Sequence, residues 1–155
     1  MIINVGIEDN SRKSIAEGLK VLLADTYSLY IKTQNYHWNV VGPMFKSVHE
    51  MTEEQYTELA TANDEIAERI RQLGVKAPGG YKAFADLTAI TDGDENKDAQ
   101  AMVAELAGDH ETIVRRIRPM QETADKAGDN ATVALLDDRL TAHEKAAWML
   151  RSMAS

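Results

Sequence analysis

One stretch of the chain, Asn35 to Gly74, decides the fold: NYHWNVVGPMFKSVHEMTEEQYTELATANDEIAERIRQLG. Gly42-Pro43 ends one helical segment, because proline cannot continue a helix from the preceding turn, and a second long helix follows. At about 100° of rotation per residue, four side chains of this second helix lie on a single stripe. They are His49, Glu53, Asp64 and Glu68. Histidine and carboxylate together are typical metal ligands.

The acidic residues of this stripe have few positive charges near them in the sequence. Asp64 and Glu68 lie four residues apart on the helix, where like charges repel by about 0.2–0.5 kcal/mol. Neither Glu53 nor Asp64 has a lysine or arginine three or four positions away, and Glu68 has only Arg71. The charge that neutralises this helix face is therefore expected to come from outside the helix.

The stripe is too long to hold one ion. His49 and Asp64 are separated by about 22 Å along a helix axis. The pair His49 and Glu68 has the same midpoint in the sequence as the pair Glu53 and Asp64. An antiparallel second copy centred there would place His49 opposite Glu68 and Glu53 opposite Asp64. A two-fold homodimer would thus complete two equivalent sites.

His37 joins the same set, because it lies near the end of the first long helix while His49 lies near the start of the second. A short antiparallel hairpin sets both at a similar height. The predicted cluster takes His37, His49 and Glu53 from one subunit, and Asp64 and Glu68 from its partner. Two imidazoles and three carboxylates suit iron or manganese. The spacing alone leaves a metal site and a structural role equally open.

Several motifs around these residues resemble the Dps proteins, ferritin-like mini-cages that oxidise and store iron and in some members bind DNA. The resemblance is carried by Tyr36-His37-Trp38-Asn39-Val40, Gly42-Pro43 with Phe45, His49-Glu50 and the segment Asp64 to Arg71. More weakly, it extends to His143-Glu144-Lys145 and Trp148-Met149-Leu150. It implies that the five cluster residues form a catalytic iron centre, a ferroxidase site. At Glu53 the family often has aspartate, so the longer side chain is expected to alter geometry more than metal identity.

The resemblance also implies a homo-oligomer, a dodecamer built from two-fold dimers, that takes Fe(II) with hydrogen peroxide or dioxygen and protects the cell from oxidative damage in stationary phase. Trp38 then either fills the dimer interface or intercepts oxidising equivalents. Glu50 and Glu54 either nucleate mineral on the cavity side or lie on solvated surface. Acidic residues between the last two helices would line an iron entry pore; the candidates are Glu122, Asp125 and Asp129.

The second hypothesis for the function is that of a nucleoid-compacting protein that binds DNA. Family members that do so typically carry a lysine-rich tail, because binding a polyanion requires positive charge. Here Arg12-Lys13 is the only basic pair near the start, the last five residues contain only Arg151 as a basic residue, and the net charge is −8. The sequence therefore favours iron oxidation over direct DNA binding.

Composition and length restrict the remaining possibilities. A chain of 155 residues with 44% hydrophobic and 27% charged residues is expected to form one domain, 1–155. It has no cysteine, which excludes disulfides and thiolate chemistry. No run is apolar enough for a membrane span, and a cytoplasmic location is expected. The chain also lacks a glycine-rich phosphate loop, Gly-x-Ser-x-Gly, His-Glu-x-x-His and Glu-x-x-His.

The periodicity predicts an all-α, ferritin-like four-helix bundle with a short extra helix in the crossover between the second and third helices. The first helix should run to about Val40, the second from about Met44 to Leu73, and the extra helix over Tyr81 to Leu87. The third should run from Asp94 to about Lys126 with a kink near Pro119, and the fourth from Ala131 to Ser152. Single histidines on helices are usually structural, so His110 and His143 are not expected to bind metal.

Overall fold

The protein is built from helices joined by loops. The computed structural model describes residues 2–155, and in this range it has five helices and no strand. They are α1 (Asp9–Asn39), α2 (Phe45–Gln72), α3 (Tyr81–Leu87), α4 (Ala99–Lys126) and α5 (Asn130–Ala154). The long helices pair as two hairpins, α1 with α2 and α4 with α5, and α1 packs on α4. The short α3 packs on α1. The predicted all-α bundle with an extra crossover helix is therefore confirmed.

The core lies between the four long helices. Four apolar side chains of α4 are fully buried: Met102, Leu106, Ile113 and Ile117. They meet fully buried side chains from α1 and α2, namely Leu19, Leu22, Leu29, Tyr36, Leu59, Ile66 and Ile70.

Among residues 2–155, no helix is long and apolar enough to cross a membrane.

Gly74 lies just beyond the end of α2 at Gln72, close to the predicted end at Leu73. Its φ of +89° is a left-handed conformation that glycine adopts without the steric cost of a Cβ. The N–H groups of Gly74 and Val75 donate to the carbonyls of Arg71 and Ile70, at 3.0 and 3.3 Å. These two bonds satisfy carbonyls that the end of the helix leaves unpaired. The chain can then turn away from α2 towards α3.

The start of α4 differs from the prediction, which placed it at Asp94. The N–H of Lys97 donates to the carbonyl of Asp94 at 3.2 Å, so these residues form a turn instead. The carboxylate of Asp98 accepts from the N–H of Ala101 at 2.8 Å and caps the helix that begins at Ala99. The helix then runs through Pro119 without ending. The predicted kink at that proline stays a prediction.

A buried carboxylate on α1 fixes the crossover that carries α3. The hydroxyl of Thr88 and the N–H of Ala89 donate to Oδ1 of Asp25, at 2.9 and 2.8 Å. The guanidinium of Arg116 on α4 donates to Oδ2 of the same residue at 2.8 Å. Because Asp25 is fully buried, these bonds supply the partners that a buried charge requires. They hold α3 beside the outer face of α1.

Candidate metal centre

The hairpin of α1 and α2 brings two histidines together. His37 lies near the end of α1 and is 6% exposed, while His49 lies in the second turn of α2 and is half-buried. Their rings stack with centroids 3.8 Å apart and planes inclined by 13°. The predicted proximity of the two histidines is therefore present within one chain.

Hydrogen bonds fix which ring nitrogen of each histidine carries its proton. Nδ1 of His37 lies 2.7 Å from the carbonyl oxygen of His49, and Nδ1 of His49 lies 2.8 Å from that of His37. A carbonyl oxygen only accepts, so both Nδ1 atoms carry the hydrogen and donate. The Nε2 atom of each neutral ring then keeps its lone pair. Two imidazoles held in this way are suited to ligate a metal through Nε2.

Three neighbouring residues support this pair, and none of them was predicted as part of the metal cluster. The hydroxyl of Thr52 lies 3.2 Å from Nδ1 of His37 and donates to the carbonyl of Val48 at 2.6 Å. Tyr56 packs edge-on against the His37 ring, and Phe45 packs against His49, with centroid distances of 5.1 and 4.9 Å. Thr52 follows His49 by three positions on the same helix, so helical spacing could have identified it.

The three predicted carboxylate ligands of α2 are all exposed: Glu53, Asp64 and Glu68. Glu53 lies one helical turn beyond His49, whereas Asp64 and Glu68 lie towards the other end of α2. Within residues 2–155 of a single chain, no three histidine or acidic side chains come close enough to hold a metal ion. One chain therefore does not bring the five predicted ligands together, and the shared site stays a prediction.

A groove of about 670 Å³ runs between α1, α2 and α3, beside Asp64. Its apolar walls include Tyr27, Ile31 and Tyr81, which are 37%, 50% and 88% exposed. Trp38, on α1 beside His37, is 67% exposed. Large exposed apolar surfaces next to polar residues commonly mark association sites. This face therefore carries both the acidic end of α2 and a surface suited to a partner.

The remaining acidic candidates divide into exposed and buried residues. Glu50 and Glu54 are exposed on α2, and Glu122 and Asp125 are exposed on α4. Asp129 is different, because it is 2% exposed. It caps α5 by accepting from the N–H of Thr132 at 2.9 Å, and it pairs with Arg69 at 2.7 Å. Its place in the predicted pore is therefore corrected, since its carboxylate is committed to holding α5 against α2.

The other two histidines form a buried pair between α4 and α5. Nδ1 of His110 lies 2.9 Å from Nδ1 of His143, and the guanidinium of Arg139 donates to Nε2 of His143 at 3.1 Å. Burial, together with the charge of Arg139, lowers the pKa of His110 to about 3. Burial, His110 and Arg139 also hold the pKa of His143 well below its usual value. Both rings are therefore neutral near neutral pH.

This pair is expected to make the fold sensitive to acid. In the unfolded chain a histidine binds a proton below about pH 6.5, whereas folded His110 remains neutral down to its pKa of about 3. The stability contributed by the neutral ring is thus complete above about pH 6.5 and falls as the pH drops towards 3. At pH 5, His110 alone should account for a loss of about 2 kcal/mol.

Thermal unfolding of the wild type near pH 7 and pH 5 measures this effect, with His110→Phe/His143→Phe as the comparison. The unfolding temperature of the double variant should fall less between pH 7 and pH 5 than that of the wild type. Equal losses in both proteins would assign the acid sensitivity to other groups.

Comparison with known proteins gives a consistent result along the whole chain. Residues 16–155 match the family model of the ferritin-like domain. An uncharacterised low-temperature-induced protein from Nostoc sp. is 40% identical over 97% of this chain and 85% of that protein. DNA protection during starvation protein 2 from Bacillus anthracis is 38% identical over 90% of this chain and 96% of that protein.

A similar solved structure is the DPS protein from Vibrio cholerae O1, described as a member of a broad superfamily of ferritin-like diiron-carboxylate proteins. It superposes with a TM-score of 0.94 at 29% identity, and the match covers 100% of this chain and 98% of that one. The similarity thus includes all five helices and the loops between them.

Proposed function

Because the chain belongs to the Dps family of ferritin-like proteins, we propose that it is a ferroxidase that oxidises Fe(II) and retains the Fe(III) product inside a closed homo-oligomeric shell. The observation that carries this proposal is the pair His37 and His49. Their Nδ1 hydrogens are bound to backbone carbonyls, which leaves both Nε2 lone pairs free, and Glu53 lies one helical turn from His49 on α2. We expect the protein to act in the cytoplasm.

The site would be completed by a second copy of the chain. His37, His49 and Glu53 of one subunit would meet Asp64 and Glu68 of its partner, with the exposed groove between α1, α2 and α3 forming part of the two-fold contact. Carboxylates and imidazoles bind Fe(II), and the negative charge of the carboxylates stabilises the more highly charged Fe(III), which favours loss of the electron. Closed shells of such dimers, a dodecamer in the family pattern, would enclose the product.

The reaction balances with hydrogen peroxide as the oxidant. Two Fe(II) ions each give up one electron, and one peroxide molecule takes up both electrons and two protons to become two molecules of water. Because peroxide receives both electrons at the protein, hydroxyl radical is not released, and iron and peroxide are removed together. Dioxygen would serve as a slower oxidant. This outcome would protect the cell from oxidative damage.

Other residues have supporting roles in this proposal. Trp38 lies beside the histidine pair and would cover it at the dimer contact, with interception of oxidising equivalents as its second candidate role. Glu50 and Glu54 are exposed and would nucleate mineral if they face the cavity. The entry pore would use Glu122 and Asp125, because Asp129 is occupied by Arg69 and the cap of α5.

DNA binding is the second candidate, and the name of the Bacillus anthracis relative is what favours it. The basic pair Arg12-Lys13 offers little accessible positive charge to a phosphate backbone. Arg12 is 8% exposed, donates to the carbonyls of Ile7 and Leu73 at 3.3 and 3.1 Å, and pairs with Asp9. Only Lys13 of that pair is exposed. With a net charge of −8, we expect no retarded DNA band at physiological salt without divalent metal.

Oxidation of Fe(II), followed by the absorbance of the Fe(III) product, tests the proposed function. The wild type should oxidise Fe(II) rapidly with peroxide and more slowly with air, and the product should migrate with a particle of multi-subunit mass. An oxidation rate equal to that of buffer alone, from a correctly assembled particle, would refute the proposal.

A further inference from the structure

A second cavity lies on the opposite side of α2 from the histidine pair, between α2, α4 and α5. Its volume is about 290 Å³, which is near the lower end for small-molecule sites. Met51 on α2 and Ala142, Ala146 and Met149 on α5 form its apolar walls, and His110 on α4 lies at its inner end. It shares no proposed metal ligand with the iron site.

The hydrogen bonds behind His110 determine what this residue presents to the cavity. A guanidinium only donates, so Nε2 of His143 must accept from Arg139, and the hydrogen of neutral His143 is therefore on Nδ1. That Nδ1–H donates to Nδ1 of His110 at 2.9 Å. The hydrogen of neutral His110 is then on Nε2. Arg139 thus fixes His110 as a hydrogen-bond donor and excludes its Nε2 as a metal ligand.

This donor has no partner within residues 2–155, although His110 is 2% exposed. Nδ1 of the ring faces His143, so Nε2 is on the side of the ring away from that residue. Gln55, on α2, also lines the cavity, and both Nε2 and Oε1 of its amide are buried without a partner among the same residues. Buried polar groups are normally hydrogen-bonded, so this combination indicates a bound group.

The charges around the cavity select against an ionic ligand. Glu54, Glu58 and Lys145 line it, and Arg139 pairs with Glu58 through two bonds of 2.5 and 2.9 Å. Two negative and two positive charges therefore balance. The net charge of these four side chains is zero, so the cavity has no overall preference for a cation or an anion.

We propose that this cavity binds a small uncharged molecule with an apolar body and an amide-like polar end. The carbonyl oxygen of this molecule would accept from the Nε2–H of His110 and from the amide N–H of Gln55. Its N–H would donate to the amide oxygen of Gln55. The apolar body would lie between Met51 and Met149.

Saturation-transfer NMR with benzamide as the probe tests this proposal, because the signal is read on the ligand and a large particle does not impair it. Benzamide should receive saturation from the wild type, and Ala142→Phe, which fills the cavity, should abolish it. Ala134→Phe is the matched control, since this exposed residue of α5 lies outside the cavity lining. Gln55→Met keeps the side-chain length and should weaken binding by about 30-fold, the combined effect of two lost neutral hydrogen bonds.

Absence of saturation transfer from the wild type would overturn the proposal, as would equal transfer from the wild type and Ala142→Phe. If Ala142→Phe fails to assemble, a crystal structure of the wild type grown with benzamide decides instead. Benzamide hydrogen-bonded to His110 and Gln55 would support the site, and water molecules alone joining these two residues would refute it.

Discussion

The variants His49→Ala and Asp64→Ala are each expected to oxidise Fe(II) about 100-fold more slowly than the wild type, since loss of even an outer-shell partner costs a metal site up to this factor. The first change removes a ring whose Nε2 is free to ligate, and also its stacking on His37. The second removes a carboxylate with no local cation. Initial rates of Fe(III) absorbance with peroxide measure both losses.

Glu65→Ala is the matched control for Asp64→Ala. Glu65 is an exposed carboxylate on the same helix, one position away and outside the predicted ligand stripe. Its loss should leave the oxidation rate close to that of the wild type. If Asp64→Ala keeps the wild-type rate, or Glu65→Ala is equally slow, the assignment of Asp64 as a ligand is wrong.

The largest expected effect on stability is that of Lys32→Met. The Lys32 side chain is 1% exposed, and Nζ lies 2.6 Å from Glu105 and 2.8 Å from Asp109. Burial alone would lower the pKa of Lys32, but the hydrogen bonds and charges of the two carboxylates outweigh it and raise the pKa. Methionine would leave Asp109, whose side chain is only 16% exposed, without its cation, at a cost of about 3–5 kcal/mol. Thermal unfolding measures the change.

Lys97→Met provides the comparison, because Lys97 also pairs with Glu105 but its side chain is 38% exposed. Loss of such a solvent-screened pair should lower the unfolding temperature much less than Lys32→Met does. The double variant Lys32→Met/Asp109→Leu should recover much of the stability, since it removes the unpaired charge as well as its partner. Equal costs for the two lysine variants would show that burial of Lys32 is not what makes its ion pair important.

Local patterns were sufficient to predict most of the fold. Gly42-Pro43 and Gly74 separate the long helices by backbone conformation, which depends on the residue itself and its neighbours. The short helix from Tyr81 to Leu87 has the predicted bounds. The predicted start of α4 was wrong because several earlier acidic residues look as suitable for capping a helix as Asp98, the residue that forms the cap.

Contacts between distant residues were not predictable in the same way. The reciprocal bonds of His37 and His49 depend on how closely α1 approaches α2, which periodicity does not give. Asp129 looked like one of several exposed acids until its approach to Arg69, sixty positions earlier, became known. The series of hydrogen bonds from Arg139 through His143 to His110 also joins two helices, α5 and α4. Helical spacing indicates a shared face, but not which residue of another helix lies opposite.

If two chains share each oxidation site, particles that contain two complementary variants should regain activity. His49→Ala and Asp64→Ala subunits would be co-expressed with different tags, and particles carrying both tags would be isolated. In a mixed dimer, one site contains both substitutions, while the other combines an intact His49 with an intact Asp64.

Random pairing makes half of the dimers mixed, and each mixed dimer has one intact site of its two. The oxidation rate per subunit in particles with equal amounts of both tags should therefore recover to about a quarter of the wild-type rate. A site contained within one chain would be damaged in every subunit of these particles. Mixed particles that oxidise Fe(II) no faster than either variant alone would show that two chains do not share the site.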